Sequence, residues 1–585
     1  MTPWLVPLPV AIPLAVAGML LLCNKLLPDG VPDAIALITA LFAAAAAALL
    51  LRATTAGPIT YWFGGWTPRD GQVIGIAFVI DQAGALLSLF IAALTAVTLI
   101  FAWGWFDEVG TQFHAMMLVF MAAMIGFVCT HDLFNLFVWF EVMSVAAFAL
   151  TAYQLNIAAL EGALTFTVTN GLGSYLMLGG IALLYAPSGA LDFGVLENFV
   201  RGSPNSPVVA AAFCLIATAL LIKGAMVPLH FWLSDAHAVA PSPISVIFSG
   251  IMVPLGLFGV LRLLWTVFAP DPAVPHVAHT LLLWLGGATA IIGGLAAVEQ
   301  RHLKRMLAFS TVAHMGVLLI ALALLTPAGV AGFFAYLIGH GLVKSALFMI
   351  AGICLASLGG IDELGLRGAG RTIWPVGLAA ALGGLLLGGL PIGIMDSGTS
   401  TIDAAAAATG RDWIEVPIIL GTGLTGAAVL RAIGRIFFGL GPTPGEEARA
   451  PSDQEQEAAN RPVWLMAAPA VLLLAAALIS GESVEAAARH IAAGFLASSG
   501  VQSPVVPKLP APHPFVPWVA LTLAVGVAGF DLWRDRLPRV FVWLVDGASW
   551  PLFDAVTRLH TGLVGDYVLW IVIGLAVFTA AFALA

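Results

Sequence analysis

Two charged residues are surrounded on both sides by apolar sequence. Glu141 follows Asp132 by nine residues in HDLFNLFVWFE, and Lys223 is the sole charge in PVVAAAFCLIATALLIKGAMV. With Asp132 capping a helix start, a rise of about 1.5 Å per residue carries Glu141 roughly 14 Å along that helix, near a bilayer midplane. A charge at such depth costs at least about 2.5–3.5 kcal/mol, so each should face a helix-bundle interior with a partner, and the two are expected to pair. Such a pair can load or release a proton when Glu141 moves toward or away from Lys223. The plain alternative is a static ion pair that fixes packing.

A second group lies further along. His340 and Lys344 in HGLVKSALF are four apart and share one helix face. His314, in STVAHMG, lies one apolar run earlier. Histidine titrates near neutrality and relays protons well. Taken alone, His314 reads as a satisfied interior histidine; Lys344 has no such plain reading.

The elements that must hold these groups are membrane spans. The chain has 585 residues, 60% hydrophobic and 9% charged, against about 25% charged in soluble domains. Apolar runs of about 20 residues recur throughout, near 3–23, 33–51, 73–102, 112–130, 133–153, 162–185, 207–227, 243–267, 280–298, 306–325, 329–358, 374–395, 413–440, 463–480, 515–531 and 564–585. The expected fold is an all-α polytopic membrane protein of roughly sixteen spans. The first run lacks a basic n-region and a small-residue cleavage site, so it reads as a span rather than a removed signal peptide. Pro442 to Arg461 reads as a polar, acidic loop, and Asp535 to Thr561 as an amphipathic helix lying on a membrane or partner surface.

Four basic groups, Arg301/Lys304/Arg305, Arg367/Arg371, Arg431/Arg435/Arg461 and Arg534/Arg536/Arg539, are separated by two spans each. They fall on one side, which the positive-inside rule makes cytoplasmic, with both termini outside. Two spans carry a helix breaker: the seventh, LLIKGAMVPLHFWL, near Pro228, and the twelfth, LLLGGLPIGIMDSG, near Pro391. Proline frees a carbonyl, which at membrane depth must be satisfied by protein or water. The breaks are five spans apart, and an odd offset reverses helix direction. That predicts two inverted five-helix repeats, a transporter architecture, over 112–267 and 280–440, with N-terminal helices in 1–111 and an extension in 441–585.

Other chemistry finds little support. Haem would need axial ligands on facing helices, and His114, His131, His230 and His237 lie near span ends or in loops. Cys23, Cys129, Cys214 and Cys354 form no CxxC pair. With no Rossmann or P-loop glycines and no metal-spaced cluster, no NADH, ATP, metal or iron–sulfur site and no catalytic centre is expected on this chain. The net charge of −9 is spread over loops without a basic stripe, which argues against nucleic acid.

HDLFNLFVWFE, KGAMVPLHFWLSDAHAVAPSPIS, KRMLAFSTVAHMG, HGLVKSALF and GLP resemble the antiporter-like membrane subunits of respiratory complex I, membrane-bound hydrogenases and Mrp-type sodium/proton antiporters, over about residues 75–440. RLHTGLVGDYVLW resembles the tail of members with a lateral helix. The resemblance implies a fourteen-helix core, no cofactor on this chain, other membrane subunits as partners in a cell inner membrane, and protons, with or without sodium, as the ions moved. It places the family's fifth- and seventh-span carboxylate and lysine on Glu141 and Lys223, and its eleventh-span lysine on Lys344. Two positions depart: Pro254 stands in SGIMVPLGLFGVLR where relatives usually have a lysine, or sometimes an acid. Thr399 falls where they commonly carry a lysine or glutamate, with Asp396 and Asp403 nearby. The function implied is a proton-translocating subunit of a complex I-like oxidoreductase or an Mrp-type antiporter. A non-conducting scaffold, or a subunit of a hydrogenase or inorganic-carbon uptake complex, is the alternative.

Overall fold

A hydrocarbon interior offers the backbone no hydrogen bonds, so each apolar run satisfies its own N–H and C=O groups by closing into a helix. The computed structural model describes residues 3–69, 73–103, 111–443, 462–502, 504–509, 513–559 and 562–584. The acidic loop beyond residue 443, with Arg461, lies outside the described residues. So do His560 and Thr561.

Helices α1 (Leu8–Leu22) and α2 (Val31–Ala53) lead into an antiparallel ribbon of β1 (Ile59–Trp62) and β2 (Ala77–Ile80), with Ile59 opposite Ile80 and Trp62 opposite Ala77. Aromatic and β-branched side chains favour this pairing. The span expected from residue 73 therefore starts only at α3 (Gln82–Phe101), capped by Asp81. Next come α4 (Gln112–Cys129), α5 (Leu133–Thr151), α6 (Ile157–Ser188) and the amphipathic α7 (Phe193–Arg201). The seventh span is split into α8 (Pro207–Lys223) and α9 (Phe231–Val239). The eighth comprises α10 (Ser242–Ile247) and α11 (Val253–Leu263), joined by a π-turn at Phe248–Met252.

The second half opens with α12 (Ala273–Glu299), α13 (Leu303–Ala323) and α14 (Pro327–Leu358). Its broken span is α15 (Trp374–Leu387) plus α16 (Gly393–Ala408), followed by α17 (Glu415–Phe438). Sequence reading ended this span at residue 395, where the apolar run gives way to SGTSTID. In α16 the Ser397, Thr399 and Thr401 hydroxyls instead donate to carbonyls one turn back, so the polar stretch stays helical. The extension contains α18 (Val463–Ala477), α19 (Glu482–Ser498), α20 (Val516–Trp533), the lateral α21 (Arg539–Leu559) and α22 (Val564–Leu584).

Among the described residues, thirteen helices are long and apolar enough to cross a membrane, α18 and α19 form a pair bent by 84°, and α1 and α8 are shorter apolar helices. These account for the sixteen runs read from sequence. The chain is a multi-pass membrane protein.

A fixed spacing relates the halves. Leu133 opens α5 and Leu303 opens α13, 170 residues later (303 − 133); the same interval separates the starts of α6 and α14, each 32 residues long. Asp132 bridges to Asp192 through backbone, and His302 to Asp362 at that interval. Gly189 and Gly359 close α6 and α14 with φ of 62° and 69°, a left-handed cap glycine adopts without strain.

Several basic residues assigned to loops are buried instead. Lys304 is fully buried and donates to Ala240 O at 2.9 Å. Arg431 donates to Val298 O (2.5 Å) and Gln300 O (2.8 Å), and with Arg435 it pairs with the fully buried Glu363. Asp531 of α20 joins this network at 3.2 Å from Arg431. Removing one member strands buried charge, so Glu363→Ala is expected to cost about 3–5 kcal/mol. Thermal unfolding in detergent checks this; the exposed Arg201–Glu197 pair, cut by Arg201→Ala, should change stability by no more than about 1 kcal/mol.

Candidate functional site

Lys223 is the last residue of α8, and the helix breaks immediately behind it. Its side chain is fully buried; Nζ donates to Ser144 Oγ at 2.6 Å and stands 4.5 Å from the Phe140 ring centroid and 5.7 Å from that of Phe166. An aromatic face attracts a desolvated cation, so the rings replace part of its lost hydration. Glu141 instead accepts a hydrogen bond from Ser174 of α6. The expected direct ion pair is thus replaced by two serine contacts, with Glu141 still within electrostatic reach of Lys223. Glu141 is half-buried, on the side of α5 that also exposes Phe134, Val138 and Val145.

The break spans 224–230 and contains Pro228. Trp232 Nε1 donates at 2.9 Å to Ile222 O, which also accepts the Ala225 N–H at 3.0 Å, and the freed Val227 N–H finds a side-chain partner in Thr289 Oγ1 at 3.2 Å. Trp232 is held by stacking on Phe166, 4.3 Å between centroids and 8° between planes. From the C-terminal extension, Tyr567 stacks on Phe231 at 4.8 Å and donates to Asp235 at 3.4 Å. The final helix α22 therefore packs beside the break.

In the second half, Lys344 is fully buried and donates to Leu307 O at 2.5 Å and to Ser310, tying α14 to α13. One turn away, His340 has both ring nitrogens buried with no protein partner among the described residues, and its ring centroid is 5.3 Å from that of His314. His314 contacts Tyr336 Oη through Nδ1 (2.6 Å) and Thr425 Oγ1 through Nε2 (3.1 Å). Thr422, one turn before Thr425 on α17, lines a cavity with Asp396, Thr399, Met395, Leu390 and Pro517. Pro391 lies in the 388–392 break beside this cavity. Asp403, two turns beyond Asp396, is 5% exposed.

The structure thus gathers His314, His340 and Lys344 into one cluster and Asp396 with Thr399 at one cavity, while Glu141 and Lys223 form a separate centre. Around Pro254, the second residue of α11, the Ser249 and Thr311 hydroxyls meet at 2.7 Å. His237, weighed above as a haem ligand, is fully buried and stacks on Phe348 at 4.6 Å, one turn past Lys344. Sequence reasoning missed Ser144, Ser174, Tyr336, Thr422 and Thr425, since hydroxyls in helices carry no spacing signal. His237 and Lys304 were visible as ionisable residues but were read as lying in loops.

The family model describing the membrane part of NADH:quinone oxidoreductase and Mrp antiporter subunits matches residues 130–395. The N subunit of NADH-quinone oxidoreductase from Desulforudis audaxviator is 33% identical over 360 residues, covering 60% of this chain and 70% of that relative. A Na(+)/H(+) antiporter subunit of Bacillus subtilis is 27% identical over 492 residues, covering 82% and 94%. Among solved structures, a chain of the membrane-bound sulfane sulfur reductase, an archaeal respiratory membrane complex, superposes with TM-score 0.71 at 25% identity, covering 90% of this chain and 99% of the other.

Ser144→Ala would leave the Lys223 ammonium short of its hydroxyl acceptor, a buried loss of about 1–3 kcal/mol. The expected outcome is a lower thermal midpoint for the detergent-solubilised protein. An unchanged midpoint would remove this contact from the account.

Proposed function

The chain belongs to the family of NADH:quinone oxidoreductase and Mrp antiporter membrane subunits, and we propose that it translocates protons as one subunit of a multisubunit complex in a cell inner (cytoplasmic) membrane. Its two repeats, 112–267 and 280–440, each supply half of the path. Glu141 and Lys223 take up the proton, Lys344, His340 and His314 carry it, and Asp396 and Asp403 release it, with the breaks at Pro228 and Pro391 holding the wet backbone open.

One observation carries this reading. From Lys344 a series of buried polar groups runs through His340, His314 and Thr425 to Thr422 and Asp396, crossing α14, α13, α17 and α16. Buried imidazole nitrogens without protein partners among the described residues, as on His340 and His237, call for water. Water linked to the Ser249 and Thr311 hydroxyls replaces the relay lysine that Pro254 displaces. At the release end, Asp396 does the work for which Thr399 lacks a charge.

A second reading, proton exchange against sodium, draws support from the match that covers 94% of a Na(+)/H(+) antiporter subunit. In this reading the sodium route runs through partner subunits and the proton route remains the one above. A non-conducting scaffold is the rival to both.

In inverted vesicles carrying the assembled complex, Lys223→Ala is expected to abolish coupled proton movement and Glu141→Gln to reduce it, with subunit composition unchanged on native gels. Proton movement at the wild-type rate in Lys223→Ala would reduce the chain to a scaffold.

A further inference from the structure

Three metal-ligand side chains that are far apart in sequence meet at one end of the second broken span. Asp403 comes from the last turns of α16, Glu415 opens α17, and His513 lies just ahead of α20. One donor atom from each lies within 4.8 Å of the others. The sequence reading expected no metal cluster because it looked for ligands at fixed short spacing, whereas here the fold brings them together.

The charges in this cluster do not balance. Asp403 is 5% exposed, and its side chain is within hydrogen-bond reach of the Glu415 carboxyl. That partner is another carboxylate, and Asp412 adds further negative potential, while His513 offsets only part of it. His513 Nδ1 reaches Glu415 from the other side. Two carboxylates held together away from water repel unless a proton or a cation lies between them. The His513 and Glu415 side chains remain 34% and 15% exposed, so the cluster opens to solvent.

We propose that Asp403, Glu415 and His513 form a binding site for a divalent cation of the zinc class. One imidazole nitrogen and two carboxylate oxygens, completed by water, make a tetrahedral set that suits Zn²⁺. Three protein donors, one of them nitrogen, are too few and too soft for Ca²⁺, which takes six to eight oxygens. The cation neutralises the carboxylate pair and ties the α16–α17 turn to the segment leading into α20. A bound cation takes Asp403 out of the proton release proposed above and leaves Asp396 in that role; the test measures metal rather than proton movement, so the two readings fail separately.

The purified native complex, stripped with a chelator, is titrated with Zn²⁺ near neutral pH against a chromophoric chelator. Wild type should take up one tight equivalent that is weakened at least about tenfold in both His513→Ala and Glu415→Gln. His513→Cys should recover it, since a thiolate is a good zinc ligand. Equal binding in wild type and both variants overturns the site. So does a wild type that binds no zinc, the result expected if a shared proton alone joins the carboxylates. Should the variants fail to assemble, Co²⁺ added to wild type decides: tetrahedral visible bands support the site, and their absence rejects it.

Discussion

The carbonyl of Ile222 sits where α8 stops at membrane depth, and it accepts the indole N–H of Trp232 at 2.9 Å. The same carbonyl accepts the Ala225 N–H at 3.0 Å, so Trp232 adds a second donor to it and ties the start of α9 back to the end of α8 across the break, where backbone must be satisfied within the protein. Trp232 in turn depends on its stack against Phe166 of α6, and that same ring lies 5.7 Å from Lys223 Nζ. One aromatic pair therefore supports both the interrupted backbone and the charge at its end. The positions of Ser144, Glu141 and Ser174 follow from the α5 and α6 surfaces that pack around it.

The buried charges were legible because ionisable residues inside apolar runs are rare and costly. Glu141, Lys223 and Lys344 stood out for that reason, and Pro228 and Pro391 because proline cannot continue a helix unaided. What could not be read was partnership. Serine and threonine occur throughout membrane helices, often bonded only to their own turn as Thr399 is, so nothing in the sequence separates Thr425, which reaches His314, from its neighbours. Helix α19 escaped for a different reason: its mixture of Glu, Arg, His and Ala resembles a surface helix, yet Ala492, Phe495 and Leu496 are buried against α14, α3 and α16. Lys304 was misplaced because its neighbours Arg301 and Arg305 made the whole group look like a loop.

The interval of 170 residues gives the two halves a common frame with different contents. Ser144 of α5 and His314 of α13 are related by it, as are Ser174 of α6 and Lys344 of α14. Where the first half carries hydroxyls that attend a glutamate and a lysine from other positions, the second carries the ionisable groups themselves. The same backbone framework holds a charge pair with serine partners in one half and a histidine–lysine cluster in the other. The cap glycines and the matching backbone bridges, Asp132 with Asp192 and His302 with Asp362, preserve the frame, leaving the inward-facing side chains free to differ.

The seat of α22 also sets an order of events during synthesis. Tyr567 and Gly574 lie against Phe231 and Leu229, yet Lys223 and Val564 are separated by 341 residues (564 − 223). At about 5–20 residues per second, roughly 20–70 s pass between making the interrupted span and making the helix that covers it. Through that interval the α8–α9 junction lacks its cover on the side that Tyr567 and Gly574 fill. A chain stalled before Val564 thus leaves this junction uncovered on that side, and synthesis of α22 is what conceals it.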